Sequence, residues 1–262
     1  MKRGEVVAGS KTALVTGASK GIGRCYAIQL AELGYNVVMV SLAEASLEKT
    51  AQEVAEVNSK VWVRHYAKDL ATITAAEELF AWTEQESIKV DVLINNAGLA
   101  IGVDKEHEGN LDEWETMIDT NIKALLSMTR LVVPGMIDRG RGHIINIGSI
   151  AGDAAYPGGS VYCATKAAVK ALSDGLRIDL VDTPLRVTNV KPGLVETNFS
   201  VVRFRGDQDK ADNVYKGIQA LSGDDIAEVV YFAASAPEHM QIAEVLVMPT
   251  NQATGTIVSR CY

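Results

Sequence analysis

The sequence predicts an α/β fold, a single domain built on a doubly wound, seven-stranded parallel sheet flanked by helices. Three observations lead to this prediction. Short apolar runs of strand length alternate seven times with longer amphipathic stretches. Most runs carry few polar residues, which is typical of strands buried on both faces. The first run breaks into a glycine-rich turn that opens a helix. No repeat or linker divides the chain, so residues 1–262 are predicted as one domain.

Composition narrows the classes of function. Hydrophobic residues make up 47% of the 262 residues, and the formal net charge is -8. No basic stripe offers itself to nucleic acid or to an anionic membrane, and no run of 18 apolar residues could span one. The start MKRGEVVAGSK lacks the apolar stretch of a signal peptide. Because the cysteines and histidines are scattered, we expect a reduced, cytoplasmic protein without a metal site; the cysteines are Cys25, Cys163 and Cys261.

The first strand and its turn predict a dinucleotide site. Residues 12–16, TALVT, form an apolar strand that runs into GASKGIGR, and the amphipathic stretch beyond it reaches a capping Gly34. Glycines in the turn let backbone amides approach a diphosphate at the positive end of the following helix. A Rossmann-type fold places its cofactor here. The predicted cofactor-binding residues of the turn are Gly17, Ser19, Lys20, Gly21, Ile22 and Gly23.

The end of the second strand bears on the choice of cofactor. NVVMV, residues 36–40, is followed by Ser41, where an acidic residue that grips the adenosine ribose is expected. Ser41 can donate a hydrogen bond to a 2′-phosphate, and Lys20 can supply positive charge. These residues favour NADP over NAD. Because Leu42 offers no second cation, NAD stays open as an alternative.

Two further strand ends supply candidate cofactor contacts. After the third strand, residues 60–67, we expect Asp69 and Leu70 to contact adenine, unless Asp69 caps the helix that starts near Thr72. The fourth strand ends in the sequence NNAG. Its polar amides and glycine would lie at the carboxyl edge of the sheet, where doubly wound folds bind ligands. The candidates there are Asn95, Ala97 and Gly98.

The stretch YCATK carries the predicted chemistry. Tyr162 and Lys166 stand four residues apart, so a helix places them on one face, and the ammonium would lower the pKa of the phenol. Ser149 ends the fifth strand, thirteen residues earlier, where its hydroxyl can polarise a carbonyl. Residues 112–140 predict one long helix with Asn121 within it and Pro134 near its end. Asn121 either packs there or kinks the helix and holds a water.

The last third of the chain contains the remaining predicted site residues. The sixth strand, residues 185–193, ends near four candidate cofactor contacts, Pro192, Gly193, Val195 and Thr197. Residues 198–222, here called the lid segment, fit no repeat of strand and helix and predict a substrate lid. Arg203 or Arg205 in it could pair with a substrate carboxylate; alternatively, both tie the lid to the body. A helix at 224–236 and a strand at 243–249 complete the pattern.

Residues 12–249 resemble the short-chain dehydrogenase/reductase family. TGASKGIG and NNAG match its glycine and sheet-edge motifs, and Ser149, Tyr162 and Lys166 match its catalytic set. Asn121, in DTN, matches a fourth catalytic position. The resemblance implies that Tyr162 is the general acid/base and that Lys166 binds the nicotinamide ribose and lowers the tyrosine pKa. It also implies that Ser149 steadies the substrate oxygen and that Asn121 holds a water of a proton relay.

Within that family, GHIINIGS, VRFRGD and VMPTNQA resemble the branch of NADP-dependent 3-hydroxy acid dehydrogenases. That branch acts on serine, allo-threonine and malonic semialdehyde and is typically tetrameric, which implies a homotetramer here. It usually carries arginine after the second strand, where this chain has Ser41 and Leu42. Two other functions stay open: a reductase of uncharged ketones or ketoacyl thioesters, and a non-catalytic NADP-sensing protein.

Overall fold

The computed structural model describes residues 11–260. The amino-terminal segment considered for a signal peptide and Cys261 lie outside these residues, apart from Lys11. Within the described range, none of the helices combines the length and apolarity that a membrane crossing requires. The same residues contain no group of three or more His, Cys, Asp or Glu side chains placed to hold a metal ion.

Seven parallel strands form one sheet in the order β3-β2-β1-β4-β5-β6-β7. The direction of the order reverses between β1 and β4, which creates the crevice where doubly wound folds bind ligands. The predicted fold class is therefore confirmed. The strands are β1 (Thr12–Thr16), β2 (Asn36–Ser41), β3 (Val63–Ala67), β4 (Val92–Asn95), β5 (His143–Ile147), β6 (Arg186–Pro192) and β7 (Glu244–Val247).

Helices cover both faces of the sheet. Along β1, Ala13 and Val15 belong to the core shared with α1, α2 and α9, whereas Leu14 belongs to the core shared with α3 and α5. Because helices cover both faces of the sheet, most strands are nearly continuous runs of apolar residues in the sequence. The helices are α1 (Gly21–Glu32), α2 (Glu44–Val57), α3 (Ile73–Gln85), α4 (Leu111–Ile118), α5 (Ala124–Asp138), α6 (Ser160–Asp179), α7 (Phe199–Arg203), α8 (Gln208–Tyr215) and α9 (Gly223–Ser235).

Several elements differ from the sequence-based boundaries, and three of these differences concern the third strand, the long helix and the lid segment. The third strand begins at Val63 rather than at residue 60. The long helix at 112–140 is interrupted by a π-helical turn, Asp119–Lys123, which separates α4 from α5 and contains the buried Asn121. Pro134 lies inside α5. The lid segment is not irregular throughout, because it contains α7 and α8.

Candidate functional site

A cavity of about 590 Å³ opens at the carboxyl edge of the sheet. Its walls come from the glycine turn after β1, the ends of β2, β4, β5 and β6, the loop before α6 with α6 itself, the lid segment, and residues 252–260. Of the predicted site residues, those on the cavity wall are Gly17, Ser19, Lys20, Gly21, Ile22, Gly23, Ser41, Ala97, Gly98, Ser149, Tyr162, Lys166, Pro192, Gly193, Val195, Thr197 and Arg203.

The glycine turn leaves no room for side chains. Gly17 has φ +66°, and a Cβ there would lie 2.9 Å from Asn96 Nδ2. A Cβ at Gly23 would lie 2.2 Å from the carbonyl oxygen of Gly17. Because both contacts are inside van der Waals distance, positions 17 and 23 accept only glycine in this packing. These two glycines let the turn lie close to the start of α1, whose amides border the cavity.

Ser41 and Lys20 lie at one end of the cavity, here called the Ser41 end. The hydroxyls of Ser19 and Ser41 are 2.7 Å apart. Lys20 is exposed, and the neighbouring Leu42 extends into solvent. Arg24, one turn further along α1, is paired with Glu53 at 2.6 Å. Lys20 is therefore the cation of α1 that borders this end.

Three predicted cofactor contacts do not line the cavity. The Asp69 carboxylate accepts a hydrogen bond from the Ala71 amide, and Thr72 rather than Asp69 caps α3, so the cap interpretation of Asp69 is wrong, whereas its contact with adenine stays a prediction. Leu70 is buried in the core beside α3 and α5. Asn95 is also buried, and its Nδ2 donates to Asn146 Oδ1 at 2.9 Å. Asn95 therefore joins β4 to β5 beneath the cavity.

Asn121 is held on three sides. Its Oδ1 accepts from the Leu99 amide at 2.8 Å, and its Nδ2 donates to the Leu99 carbonyl at 2.8 Å and to Thr165 Oγ1 at 3.0 Å. Thr165 in turn donates to the Tyr162 carbonyl at 2.7 Å. Asn121 does not line the cavity itself. It joins the π-helical turn to the loop after β4 and to α6.

Ser149, Tyr162 and Lys166 meet at the other end of the cavity, here called the Tyr162 end. Ser149 Oγ accepts from the Ala151 amide at 3.1 Å, which fixes the short turn after β5. Lys166 Nζ donates to the Ile147 carbonyl at 2.8 Å and lies 5.9 Å from the centre of the Tyr162 ring. The ring of Phe199 lies 5.6 Å from that of Tyr162. The helical spacing thus brings phenol and ammonium to one place.

Burial shifts the pKa values of Tyr162 and Lys166 at this end of the cavity. Burial raises the pKa of Tyr162 above its usual range, and neither the hydrogen bond with Ser149 nor the charge of Arg203 offsets this. Burial also lowers the pKa of Lys166 to about 8. Burial therefore dominates the pKa of Tyr162 in this structure, and a lowering of that pKa by Lys166 stays a prediction. At neutral pH the phenol keeps its proton and the ammonium is mostly charged.

The two arginines of the lid segment have different surroundings. Arg203, the last residue of α7, donates from Nη1 to Tyr156 Oη at 2.8 Å, and its Cζ lies 6.0 Å from the centre of the Tyr162 ring. Its Nε is buried and has no partner among the described residues. Arg205 donates to Glu113 at 2.7 Å and to Asp104, and it does not line the cavity. For Arg205, the tie to the body is the correct interpretation.

The cavity wall carries charge of one sign. Four cationic side chains line it: Lys20, Lys166, Arg203 and Arg260. Of the residues from 11 to 260, no aspartate or glutamate reaches the wall. Since the whole chain carries a formal net charge of -8, this distribution is not a consequence of composition. It makes the cavity a site for anionic ligands.

Residues 252–260 form a wall that the sequence did not predict. Gln252 Oε1 accepts from the Leu194 amide at 2.8 Å, and Gly255 lies against the ring of Tyr156. Arg260 donates to the Val214 carbonyl at 3.1 Å, near the end of α8. Tyr156 and these residues follow no regular hydrophobic period, and the resemblance of VMPTNQA to the branch did not by itself place Gln252 at the cavity. Only the packing of the tail against the lid segment reveals their position.

Comparisons with known proteins agree with this arrangement. The family model described as short chain dehydrogenase matches residues 11–208. The NADP-dependent 3-hydroxy acid dehydrogenase YdfG of Salmonella typhi is 46% identical over 242 residues, 91% of this chain and 95% of its own. The NADP-dependent 3-hydroxy acid dehydrogenase of Schizosaccharomyces pombe is 43% identical over 251 residues, 95% of this chain and 96% of its own.

Two solved structures are similar to this chain over most of its length. The closed form of serine dehydrogenase complexed with NADP+ has a TM-score of 0.86 and 40% identity, covering 96% of this chain and 100% of its own. An alcohol dehydrogenase from the archaeon Thermococcus sibiricus, complexed with 5-hydroxy-NADP, has a TM-score of 0.81 and 26% identity. Their alignment covers 94% of this chain and 99% of the archaeal one.

Proposed function

This chain belongs to the short-chain dehydrogenase family, and from that premise we propose that it is an NADP-dependent oxidoreductase of small 3-hydroxy acids. The reaction moves a hydride between the cofactor and the carbinol carbon, and in reverse it reduces the 3-oxo acid or semialdehyde. One observation carries the proposal: the cavity wall holds four cations and, among residues 11–260, no carboxylate. A phosphorylated dinucleotide and a substrate carboxylate are both anions that such a wall accommodates.

The residues at the Ser41 end fit the cofactor. Gly17 and Gly23 both line the cavity, and a side chain at either position would collide with Asn96, so the close turn that a diphosphate requires depends on these glycines. Ser41 can hydrogen-bond a 2′-phosphate, and the exposed Lys20 can pair with it. NADP, when bound, supplies the hydride acceptor or donor of the reaction. Relatives described as NADP-dependent support this choice over NAD.

The residues at the Tyr162 end fit a proton transfer. Tyr162 gives a proton to the carbonyl oxygen in reduction and takes one from the hydroxyl in oxidation. Ser149 steadies the same oxygen with its hydroxyl. Lys166, held by the Ile147 carbonyl, keeps a positive charge beside the phenol and offers further donors to a ribose. Because burial raises the pKa of Tyr162, the phenol is protonated at neutral pH, ready for the reductive direction.

Asn121 acts in this proposal through its position rather than by touching substrate. Its three hydrogen bonds fix the π-helical turn against Leu99 and Thr165. A π turn shifts the backbone hydrogen bonds of a helix by one residue, which leaves polar backbone groups able to bind a water. We propose that such a water connects Lys166 to solvent in a proton relay.

Arg203 is the proposed anchor for the substrate carboxylate. It lines the cavity, and its guanidinium lies over the Tyr162 ring. In a 3-hydroxy acid one carbon separates the carbinol from the carboxylate, so an anchor must lie close to the proton-transfer group. Arg205 is excluded from this role by its ion pairs with Glu113 and Asp104.

The proposal is tested by initial rates with serine, allo-threonine, 3-hydroxypropanoate and the matching semialdehydes, each with NADP and with NAD. We expect turnover of at least one acid, with NADP preferred. Turnover of neutral ketones or acetoacetyl thioesters alone would assign the protein to the ketone reductases. Binding of NADPH with no turnover across the panel would instead indicate a sensing protein.

Two finer features are also proposals. Exposed apolar side chains on α5 and at the end of α6, including Leu126, Ile178 and Val181, support a homotetramer, which light scattering after size-exclusion chromatography tests. Free Cys25 and Cys163 are compatible with a reducing cytoplasm, which fractionation of cells tests. A monomer in solution would overturn the first proposal, and a protein found only outside the cytoplasm would overturn the second.

A further inference from the structure

Tyr156 lies beside the proposed chemistry without a role in it. It belongs to the loop between β5 and α6 and packs with Tyr162, Cys163 and Met117 in a small apolar cluster. Two glycines make room for its ring, because a Cβ at Gly159 would lie 2.1 Å from ring atom Cε2 and one at Gly255 would lie 3.4 Å from Cδ1. The ring is therefore held between the start of α6 and the carboxyl-terminal wall. Its orientation is set by packing.

The hydroxyl of Tyr156 is oriented by Arg203. Arg203 Nη1 donates to Tyr156 Oη at 2.8 Å, and the guanidinium carbon lies 5.1 Å from the centre of the Tyr156 ring. Since a guanidinium only donates hydrogen bonds, the tyrosine oxygen is the acceptor, and its own hydrogen can turn either to the neighbouring Cys163 thiol or to a ligand. Donation from the cation also polarises the O–H bond and makes it a stronger donor.

Both side chains therefore keep a donor that a ligand can use. Arg203 Nε is buried and has no partner among residues 11–260. A buried N–H without an acceptor is costly, and an anionic ligand oxygen would relieve that cost. Burial raises the pKa of Tyr156 despite the charge of Arg203, so the phenol remains a donor at neutral pH. No carboxylate lies on the described part of the cavity wall to compete for these donors.

We infer that Tyr156 and Arg203 together form the carboxylate-binding subsite, with the Tyr156 hydroxyl as its second donor. One substrate oxygen takes the O–H of Tyr156 and the other takes an N–H of Arg203. The inference rests on the proposed function and sharpens it to a substrate class: short acids whose carboxylate lies one carbon from the carbinol. The guanidinium lies 6.0 Å from the centre of the Tyr162 ring, a separation that suits a short spacer between the two groups.

The test replaces Tyr156 by Phe, which keeps the ring, its packing and its contact with the guanidinium. The substrates are the best 3-hydroxy acid of the panel and its methyl ester, which lacks the charge. For Tyr156→Phe we expect KM for the acid to rise about tenfold, because one hydrogen bond to a charged group is lost. We expect kcat to stay within about twofold and KM for NADP to be unchanged, and we expect KM for the ester to rise less than KM for the acid, since a neutral carbonyl is the weaker acceptor.

Tyr66→Phe is the matched control. Tyr66 packs on Trp82 with ring centres 5.1 Å apart and does not line the cavity, so its loss of a hydroxyl should leave all constants unchanged. The double variant with Arg203→Ala should lose less than the product of the single losses, because the two side chains bond each other. An unchanged KM for the acid, or equal rises for acid and ester, would overturn the inference alone. A wild-type protein that turns over no 3-hydroxy acid would overturn the proposed function, and the subsite with it.

Discussion

The two ends of the cavity differ in how firmly their side chains are held. At the Tyr162 end, Asn121 makes three hydrogen bonds, and Lys166 is buried with its ammonium on the Ile147 carbonyl. At the Ser41 end, the Ser41 hydroxyl has one recorded partner, Ser19, and Lys20 is exposed. The first end is preorganised by backbone groups of several elements. The second depends on a few side chains that solvent also reaches.

Because of this difference, we expect substitutions at the two ends of the cavity to have different effects. Groups that transfer a proton must be held within a fraction of an ångström of a productive geometry, which needs surrounding hydrogen bonds and packing. A phosphate needs only positive charge and donors within reach. We therefore expect substitutions at the Tyr162 end to act on kcat by orders of magnitude. Substitutions at the Ser41 end should shift the preference between cofactors more gradually.

The largest effect is expected for Tyr162→Phe. Phe retains the packing against Phe199 but has no proton to transfer, so kcat should fall by roughly 10²–10⁴-fold. KM for NADP should change little, because the glycine turn is untouched. Steady-state kinetics measures both quantities. Retention of more than a tenth of kcat would mean that another group transfers the proton and that the Tyr162 end has been misassigned.

The next largest effect is expected at Arg203, and it should distinguish Arg203 from Arg205, the other arginine of the lid segment. Arg203→Ala should raise KM for a 3-hydroxy acid by roughly 30–150-fold, since an ionic hydrogen bond is worth about 2–3 kcal/mol. Arg205→Ala is the control, because Arg205 pairs with Glu113 and Asp104 at a partly exposed site outside the cavity. In Arg205→Ala the KM for the same 3-hydroxy acid should change by only a few-fold. Equal effects of the two substitutions would argue that both act by holding the lid.

The pH dependence of reduction tests the burial of Lys166. Its pKa of about 8 means that the ammonium is charged below that pH and loses its proton above it. The rate of carbonyl reduction should therefore be level below about pH 8 and fall above it. In Lys166→Arg the guanidinium stays charged, so the fall should move to higher pH even if kcat is lower. A fall at the same pH in both proteins would assign it to a different group.

The smallest effect is expected at the Ser41 end. Ser41→Asp places a carboxylate where the 2′-phosphate of NADP is proposed to bind, and it offers an acceptor to the ribose hydroxyl of NAD. The ratio of kcat/KM for NADP to that for NAD should fall about tenfold, the result of roughly 1.4 kcal/mol of differential binding. Ser41→Ala is the control that removes the hydroxyl without adding charge. An unchanged ratio in Ser41→Asp would mean that the cofactor does not reach Ser41.

The sequence predicted the parts of the site that depend on regular structure. Ser149 follows a strand, and Tyr162 and Lys166 share a helix, so strand direction and helical spacing suffice to bring them together. Asp69 is not the cap of α3, because a carboxylate two residues before an amide also suits a local turn, which is the bond it makes. Asn95 failed because the side chain points into the sheet, towards Asn146.

The two lid arginines show where sequence information ends. Arg203 closes α7, whereas Arg205 has a left-handed backbone with φ 56°, uncommon for a residue other than glycine. Although the two arginines are only two residues apart, Arg203 contacts Tyr156 at the cavity, whereas Arg205 pairs with Glu113 and Asp104 outside it. No hydropathy or charge pattern encodes this difference. Tyr156 was missed for a related reason, since its role follows from contacts with residues 47 and 99 positions away.

The charge of the cavity wall also bears on how ligands arrive. The chain as a whole carries -8, so a polyanionic ligand approaching from afar meets a repulsive molecule. The screening length is about 8 Å at physiological ionic strength. Salt therefore weakens the repulsion from distant surface carboxylates more than the attraction to the cations that line the cavity. Moderate salt should therefore speed the first encounter with NADP, whereas high salt should weaken the final attraction. The association rate would then pass through a maximum as ionic strength increases.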